Sequence, residues 1–258
     1  MEFRSLTKNL TSIDYRRLTA MSKHDFHDAR LDAVRPSYRL TESWTQPNML
    51  PIPQAPYQHG SPTIYFFHLP GANELFWEAL PEPTEETYPF TKNRKSNSPQ
   101  LSVGVESCLQ SISKGLSKLN VKVLSAHIDV RKGGQLSTVF DWHSGDFVGL
   151  HIDIITQWGW TNREQLANRA ILNLGEGHRT IAILPTPIDE LRQKFGLSSD
   201  SLNSQTAPSL LEFAPPTEVM GFSLAKNVGC IFPVQNLIHD GQSSQSDPLD
   251  IAASFLVS

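Results

Sequence analysis

WHSGDFVGLHID (142–153) ends on a histidine and a carboxylate, His151 and Asp153, which stand two positions apart. The apolar residues before them predict a β-strand, and side chains two apart on a strand point to the same side of it. One strand end could therefore bring an imidazole and a carboxylate to a single metal ion.

A third metal ligand would have to come from a distant part of the chain. His239 lies in NVGCIFPVQNLIHDG (227–241), just after another apolar run. Two histidines and one carboxylate occupy one face of an octahedron and leave three positions open, which is the ligand set of non-haem iron(II) oxygenases. The sequence thus predicts a catalytic metal site made of His151, Asp153 and His239.

Short apolar runs, separated by Gly, Asp, Asn or Pro, fill the C-terminal half and predict an all-β barrel or sandwich. Apolar residues at three- and four-residue spacing predict a helix over 102–119, and an acidic first turn with Gly196 at the end predicts another over 186–197. The runs are NVKVLSAHIDV (120–130), QLSTVFDW (135–142), DFVGLHIDII (146–155), RAILNLG (169–175), HRTIAILP (178–185), VMGFSL (219–224), CIFPV (230–234) and DIAASFLV (250–257).

The N-terminal part is less regular. TIYFFHL (63–69) predicts a buried strand, whereas TQPNMLPIPQAPYQHGSP (45–62) has too many prolines for a helix or a central strand and is expected to be a surface segment or lid. The segment 81–100 is expected to be a long polar loop. His24 and His27 are expected on a polar helix face, where histidines three apart could also share a metal.

These features resemble the iron(II)/2-oxoglutarate-dependent oxygenases, a superfamily built on a double-stranded β-helix (jelly-roll, cupin-like) core. The resemblance rests on Trp142 and Gly145-Asp146 before the HxD motif, on RAILN (169–173) after it, and on Gly229 and CIFPV before His239. It covers about residues 120–258. It implies a mainly β fold with flanking helices (α+β).

A single domain over 1–258 is expected, with a helical and extended N-terminal part (1–119). The β core would span 120–258 and carry a helical insertion near 186–212, which could form part of a lid. A second HxD motif, His127-Ile-Asp129, lacks the preceding aromatic residue and Gly-Asp turn. It is expected on an earlier strand, with its histidine hydrogen-bonded rather than bound to metal.

The resemblance implies an enzyme that binds iron(II), 2-oxoglutarate and dioxygen. Such an enzyme would hydroxylate, desaturate or cyclise a small molecule, for example an amino acid or a natural-product intermediate. The aspartate of the HxD motif argues against halogenation, which in this superfamily goes with a small residue at that position.

One departure concerns the co-substrate. Family members usually carry an Arg or Lys shortly after the distal histidine, but no Arg or Lys follows His239, and Asp250 stands in that region. The anchor for 2-oxoglutarate is therefore expected from Arg169, the first choice, or from Arg179. Ser243, Ser244 and Ser246 could add hydroxyl contacts. Asp250 could instead face a cationic group of the substrate, and Trp158 and Trp160 could wall its pocket.

Two rival functions stay open. The first is an iron oxidase or oxygenase on the same fold that does not use 2-oxoglutarate, and the missing basic residue is its main support. The second is a cupin-like binding protein or isomerase whose metal is structural or absent.

Charge and composition restrict the classes of partner that the protein is expected to bind. The net charge is −4 with no basic stripe, which argues against nucleic acid, and no apolar run is long enough to span a membrane. Cys108 and Cys230 have no CxxC partner, so both are expected to be buried thiols of a protein in a reducing cytoplasm. A small-molecule substrate is expected, and no pattern indicates an oligomeric state.

Overall fold

The computed structural model describes residues 1–18, 21–28, 33–41, 43–79, 99–135, 140–141, 146–153, 167–196, 218–243 and 249–258. In these ranges the protein is mainly β, as predicted, with flanking helices. The strands are β1 (Phe3–Ser5), β2 (Ser12–Leu18), β3 (Met21–Asp28), β4 (Ala33–Leu40), β5 (Asn48–Pro51), β6 (Ile64–His68), β7 (Val123–Lys132), β8 (Phe140–Asp141), β9 (Asp146–Phe147), β10 (Asn168–Asn173), β11 (Arg179–Ile183), β12 (Val219–Leu224), β13 (Val228–Phe232), β14 (His239–Ser243) and β15 (Leu249–Val257). The helices are α1 (Ala72–Ala79), α2 (Pro99–Ser117) and α3 (Ile188–Phe195).

Two sheets form the body of the protein. The large sheet has the strand order β1-β6-β13-β10-β15-β7, and the small sheet has the order β14-β11-β12-β2-β5. Apart from the parallel pair of β1 and β6, neighbouring strands in both sheets are antiparallel. After β7 the chain crosses repeatedly between the sheets: β10, β13 and β15 join the large sheet, and β11, β12 and β14 join the small one, whereas β8 and β9 pair with each other.

Apolar side chains pack in three layers. One cluster lies between the large sheet and helices α1 and α2, and a second lies between the two sheets, where the rings of Phe66 and Phe222 are 5.3 Å apart. A third cluster covers the outer face of the small sheet with Ile188 and Leu191 of α3 and with Leu150 and Ile152 of the HxD segment. The HxD segment is therefore anchored by buried apolar residues on both sides of His151.

Strand alternation decides which polar residues face the space between the sheets. On β15, Ile251, Ala253 and Phe255 pack toward the helices, so Asp250 and Ser254 point the other way. On β7, Ala126, Ile128 and Val130 pack toward the helices, so the residues between them face the small sheet. Those residues are His127, Asp129 and Arg131. By the same alternation, Arg169 of β10 and Arg179 of β11 face the space between the sheets.

Most predicted elements are confirmed. The runs from 120–130 and 169–257 appear as β7, β10 to β13 and β15, TIYFFHL appears as β6, and the two predicted helices appear as α2 and α3. The strand predicted to carry His151 and Asp153 is not formed, since within the described residues 146–153 only β9 is a strand and His151 makes an isolated β-bridge. The proline-rich segment supplies only β5, which is an edge strand, as expected where backbone donors are missing. Parts of the predicted loop and insertion, 80–98 and 197–217, lie outside the described residues.

One N-terminal prediction is wrong. His24 and His27 lie on a strand rather than a helix, because each residue from Met21 to Asp28 pairs with a residue of β4. Helix α1 was not predicted, and neither was the role of β1, β2 and β5, which complete both sheets. In the described residues, no helix is long and apolar enough to cross a membrane.

Candidate metal centre

His151, Asp153 and His239 converge at one point of the structure. One ligand atom from each of them lies within 4.8 Å of the other two, and the residues described include no second cluster of this kind. The Nε2 atom of His151 lies 3.5 Å from Oδ1 of Asp153, and the two imidazole rings are 4.6 Å apart. Both histidines are buried, whereas the side chain of Asp153 is 24% exposed. The cluster is thus open on the side of the carboxylate.

Backbone pairing fixes the two histidines. The amide of His151 donates to the carbonyl of His239 at 3.0 Å, and the amide of His239 donates back at 2.8 Å. This antiparallel bridge adds the HxD segment beside β14, at the edge of the small sheet. Before it the chain turns at Gly149, whose φ of 76° lies in the left-handed region that favours glycine.

Both imidazoles are held in the tautomer that a metal requires. Nδ1 of His151 donates to the carbonyl of Gly149 at 2.7 Å, and Nδ1 of His239 donates to the carbonyl of Leu237 at 2.9 Å. Because a carbonyl only accepts, each Nδ1 carries the hydrogen, and the neutral ring keeps a lone pair on Nε2. Such backbone contacts orient histidine ligands in metalloproteins.

The charges of the cluster suit a cation. Burial and the neighbouring His151 lower the pKa of His239 to about 3, so this ring is neutral at pH 7. Burial alone would raise the pKa of Asp153, but contact with His151 and the charge on Arg169 hold it well below its usual range. Burial also opposes protonation of His151, yet contact with Asp153 raises its pKa overall. The carboxylate is therefore ionised.

Arg169, the first choice for a co-substrate anchor, lies beside the cluster. Its Nη2 atom is 2.5 Å from Oδ2 of Asp153, and its Nη1 donates to the hydroxyl of Ser254 at 3.1 Å. Arg169 therefore contacts one of the proposed metal ligands directly.

Arg179, the second anchor candidate, forms an ion pair with Asp250 across the space between the two sheets. The two side chains are only 7% and 3% exposed. Asp250 thus already has a cationic partner within the protein. Ser243 is buried near this end and exchanges hydrogen bonds with Gln135 at 2.9 Å, whereas Ser244 and Ser246 lie outside the described residues.

The second HxD motif lies on β7, as expected, and does not belong to the three-residue cluster. Nε2 of His127 is 3.2 Å from Oδ2 of Asp129, which is also 3.5 Å from Nη2 of Arg131. Sequence reasoning overlooked Arg131, although the alternation of apolar residues in 126–130 places it on the polar face of the strand; its position opposite Asp250 follows from the pairing of β7 with β15. The predicted pocket walls Trp158 and Trp160 lie outside the described residues, as do Trp142 and Gly145.

The cysteines are free and buried, as predicted. Burial raises the pKa of both thiols, that of Cys108 to about 11. Neither thiol belongs to the cluster.

No protein-family profile matches the chain, and no curated protein shows significant similarity to it.

Proposed function

We propose that this protein is a non-haem iron(II) oxygenase that uses 2-oxoglutarate and dioxygen to oxidise a small molecule. The observation that carries the proposal is the convergence of His151, Asp153 and His239 within 4.8 Å. In both rings Nε2 is the nitrogen left to bind a metal, since each Nδ1 is engaged by a backbone carbonyl. Two imidazoles and one carboxylate suit iron(II) and leave three positions for a bidentate co-substrate and dioxygen.

The strand order supports the same proposal. From β10 to β15 the chain crosses repeatedly between the two sheets, and an isolated β-bridge joins His151 to His239 at the start of β14. Repeated crossing between two sheets is typical of a double-sheet jelly roll, the architecture to which the double-stranded β-helix belongs. In such a core the two histidines would lie side by side, and the bridge between them is compatible with that arrangement.

Buried cations in the same interior fit an acidic co-substrate. Arg131, Arg169 and Arg179 each have one buried N–H group that finds no hydrogen-bond partner among the described residues. A buried donor without an acceptor is costly, so a ligand carboxylate that accepts from it would stabilise the site. Arg131 is the best placed anchor, because its contact with Asp129 is long and leaves Nη1 unpaired.

The protein's own residues would bind and orient the reactants. His151, Asp153 and His239 would hold the metal, and Arg131 would hold the distal carboxylate of 2-oxoglutarate. The ring of Phe232 packs edge-on against His239 and limits access of water from that side. Iron(II) held here would supply the redox chemistry that couples conversion of 2-oxoglutarate to succinate and carbon dioxide with insertion of oxygen into a substrate C–H bond.

Anaerobic iron binding tests the metal site. The purified protein should bind one iron(II) per chain in equilibrium dialysis, and the His151→Ala and His239→Ala variants should lose that binding. The matched control is His127→Ala, which removes the histidine of the second HxD motif and should leave iron content unchanged. Equal iron content in His151→Ala and the parent protein would refute the proposal.

The co-substrate needs a separate measurement. Titration of 2-oxoglutarate into the iron-loaded protein without oxygen should give binding that the Arg131→Met variant weakens at least tenfold. Admission of oxygen should then yield succinate, slowly even without a substrate. Absence of both binding and succinate would remove 2-oxoglutarate from the proposal.

A second function is favoured by one observation. Arg169 and Arg179 both contact carboxylates of the protein, Asp153 and Asp250, so the charge of each is already compensated. An iron oxidase or oxygenase that takes its electrons from the substrate would need no co-substrate anchor. Oxygen consumption without 2-oxoglutarate, with no succinate formed, would favour this function.

A further inference from the structure

Arg169 connects the candidate metal centre to the large sheet. Its guanidinium lies between Asp153 and Ser254, with Nη2 2.5 Å from Oδ2 of Asp153 and Nη1 3.1 Å from the hydroxyl of Ser254. Ser254 is buried on β15, and every residue of β10 pairs with a residue of β15. The guanidinium is thus fixed by the sheet at one end and contacts a ligand carboxylate at the other.

The two oxygens of Asp153 therefore have different partners. Oδ2 contacts Arg169, whereas Oδ1 lies 3.5 Å from Nε2 of His151, on the side where the ligand atoms converge. A carboxylate can bind a metal through one oxygen or through both. The guanidinium forms a close ion pair at Oδ2 and occupies the space beside that oxygen, so Oδ1 is the oxygen that faces the metal position.

We propose that Arg169 is a positioning residue that holds Asp153 so that its carboxylate presents a single oxygen to the metal. This inference rests on the proposed iron site. It gives Arg169 a role other than co-substrate anchoring, because its two Nη atoms lie against Asp153 and Ser254. A carboxylate that binds through one oxygen keeps three of six metal positions open, as dioxygen chemistry requires.

Two physical effects of Arg169 oppose each other, and the difference makes the proposal testable. The positive charge of the guanidinium repels a divalent cation, so its removal would strengthen metal binding if charge alone mattered. Loss of a partner that orients a metal ligand typically weakens binding by about 10- to 100-fold. If Arg169 positions Asp153, removal of its positive charge will weaken metal binding.

Cobalt(II) is a suitable probe, because its visible spectrum reports the coordination of the metal. Titrations with cobalt(II) also do not require oxygen to be excluded. Arg169→Met should lower the affinity for Co(II) by about 10- to 100-fold and change the visible band, since Asp153 is released to bind through both oxygens. Ser254→Ala, which removes only the outer support, should cause a smaller loss with the same spectral change. Lys226→Met, at an exposed pair with Glu176, is the control for loss of one positive charge.

The outcomes separate this inference from the metal site itself. Unchanged or tighter Co(II) binding by Arg169→Met, with the parent spectrum, would overturn the positioning role while the metal site stands. Equal Co(II) binding by the parent protein and His151→Ala would instead overturn the metal site. Should Arg169→Met fail to fold, as judged by circular dichroism, Ser254→Ala and Arg169→Lys carry the test. An unaltered spectrum and affinity in both would refute the proposal.

Discussion

The buried ion pair between Arg179 and Asp250 allows a sharp prediction about stability. Asp250→Ala removes the carboxylate and leaves the guanidinium of Arg179 without its closest anion. The side chain of Arg179 is only 7% exposed, so its charge would stay buried. Breaking a buried pair in this way costs about 3–5 kcal/mol, because the remaining charge is uncompensated. For a protein of this size, the melting temperature should fall by roughly 6–20 °C.

Urea denaturation followed by tryptophan fluorescence would measure the loss, since the chain has 5 tryptophans. The matched control is Glu176→Gln, which breaks the pair with Lys226 whose side chains are 61% and 38% exposed. Exposed pairs contribute at most about 1 kcal/mol, so this variant should unfold close to the parent protein.

A double variant isolates the uncompensated charge as the cause. Replacing both partners, in Arg179→Met with Asp250→Leu, should recover most of the lost stability, because no lone charge stays buried. The reasoning fails if Asp250→Ala costs no more than Glu176→Gln. It fails equally if the double variant is as unstable as Asp250→Ala alone.

Three further predictions concern stability. Gly229→Ala should destabilise the fold by about 1–3 kcal/mol in urea, because the added Cβ would lie 2.3 Å from the ring of Phe67 and 2.5 Å from a backbone carbonyl; an unchanged midpoint would contradict this packing. Asn227→Gly keeps the positive φ of 65° but removes the side-chain oxygen that accepts from the amide of Asn73 at 2.7 Å. The free energy of unfolding should fall by about 1 kcal/mol. An unchanged free energy of unfolding would show that this cap of α1 is unimportant. Burial raises the pKa of Cys108 from 9.0 to about 11, so only the unfolded chain ionises between these values and the free energy of unfolding should fall as pH rises through this range. Cys108→Ala should flatten that fall, and parallel pH profiles of the two proteins would exclude the thiol as its source.

The convergence of His151, Asp153 and His239 was predictable from the sequence. The spacing of His151 and Asp153 places both on one side of an extended segment, and His239 is the last histidine after an apolar run. The strands of the C-terminal half were predictable for a similar reason, since β-branched runs between turn residues favour strands wherever they pack. The strands and the pairing of His151 with Asp153 need only residues that are close in sequence, whereas His239 was chosen from a distant segment by its residue type and its place after an apolar run.

The partners of the arginines were not predictable. Arg169 and Arg179 were both candidates for a co-substrate anchor, but their contacts with Asp153 and Asp250 depend on which strands become neighbours. Strand order is set by packing of the whole domain and not by any single segment. The N-terminal strands were missed for the same reason, since β1 and β2 find their pairing partners far along the chain.

The bridge between His151 and His239 has a consequence for the order of events during folding. Its two hydrogen bonds join segments that are far apart in the sequence, so they close a large loop. The chain entropy lost in closing that loop belongs to the folding reaction and not to metal uptake. A metal that needs both imidazoles should therefore bind only after the two segments have met, and the time course of binding during refolding would report when this long-range contact forms.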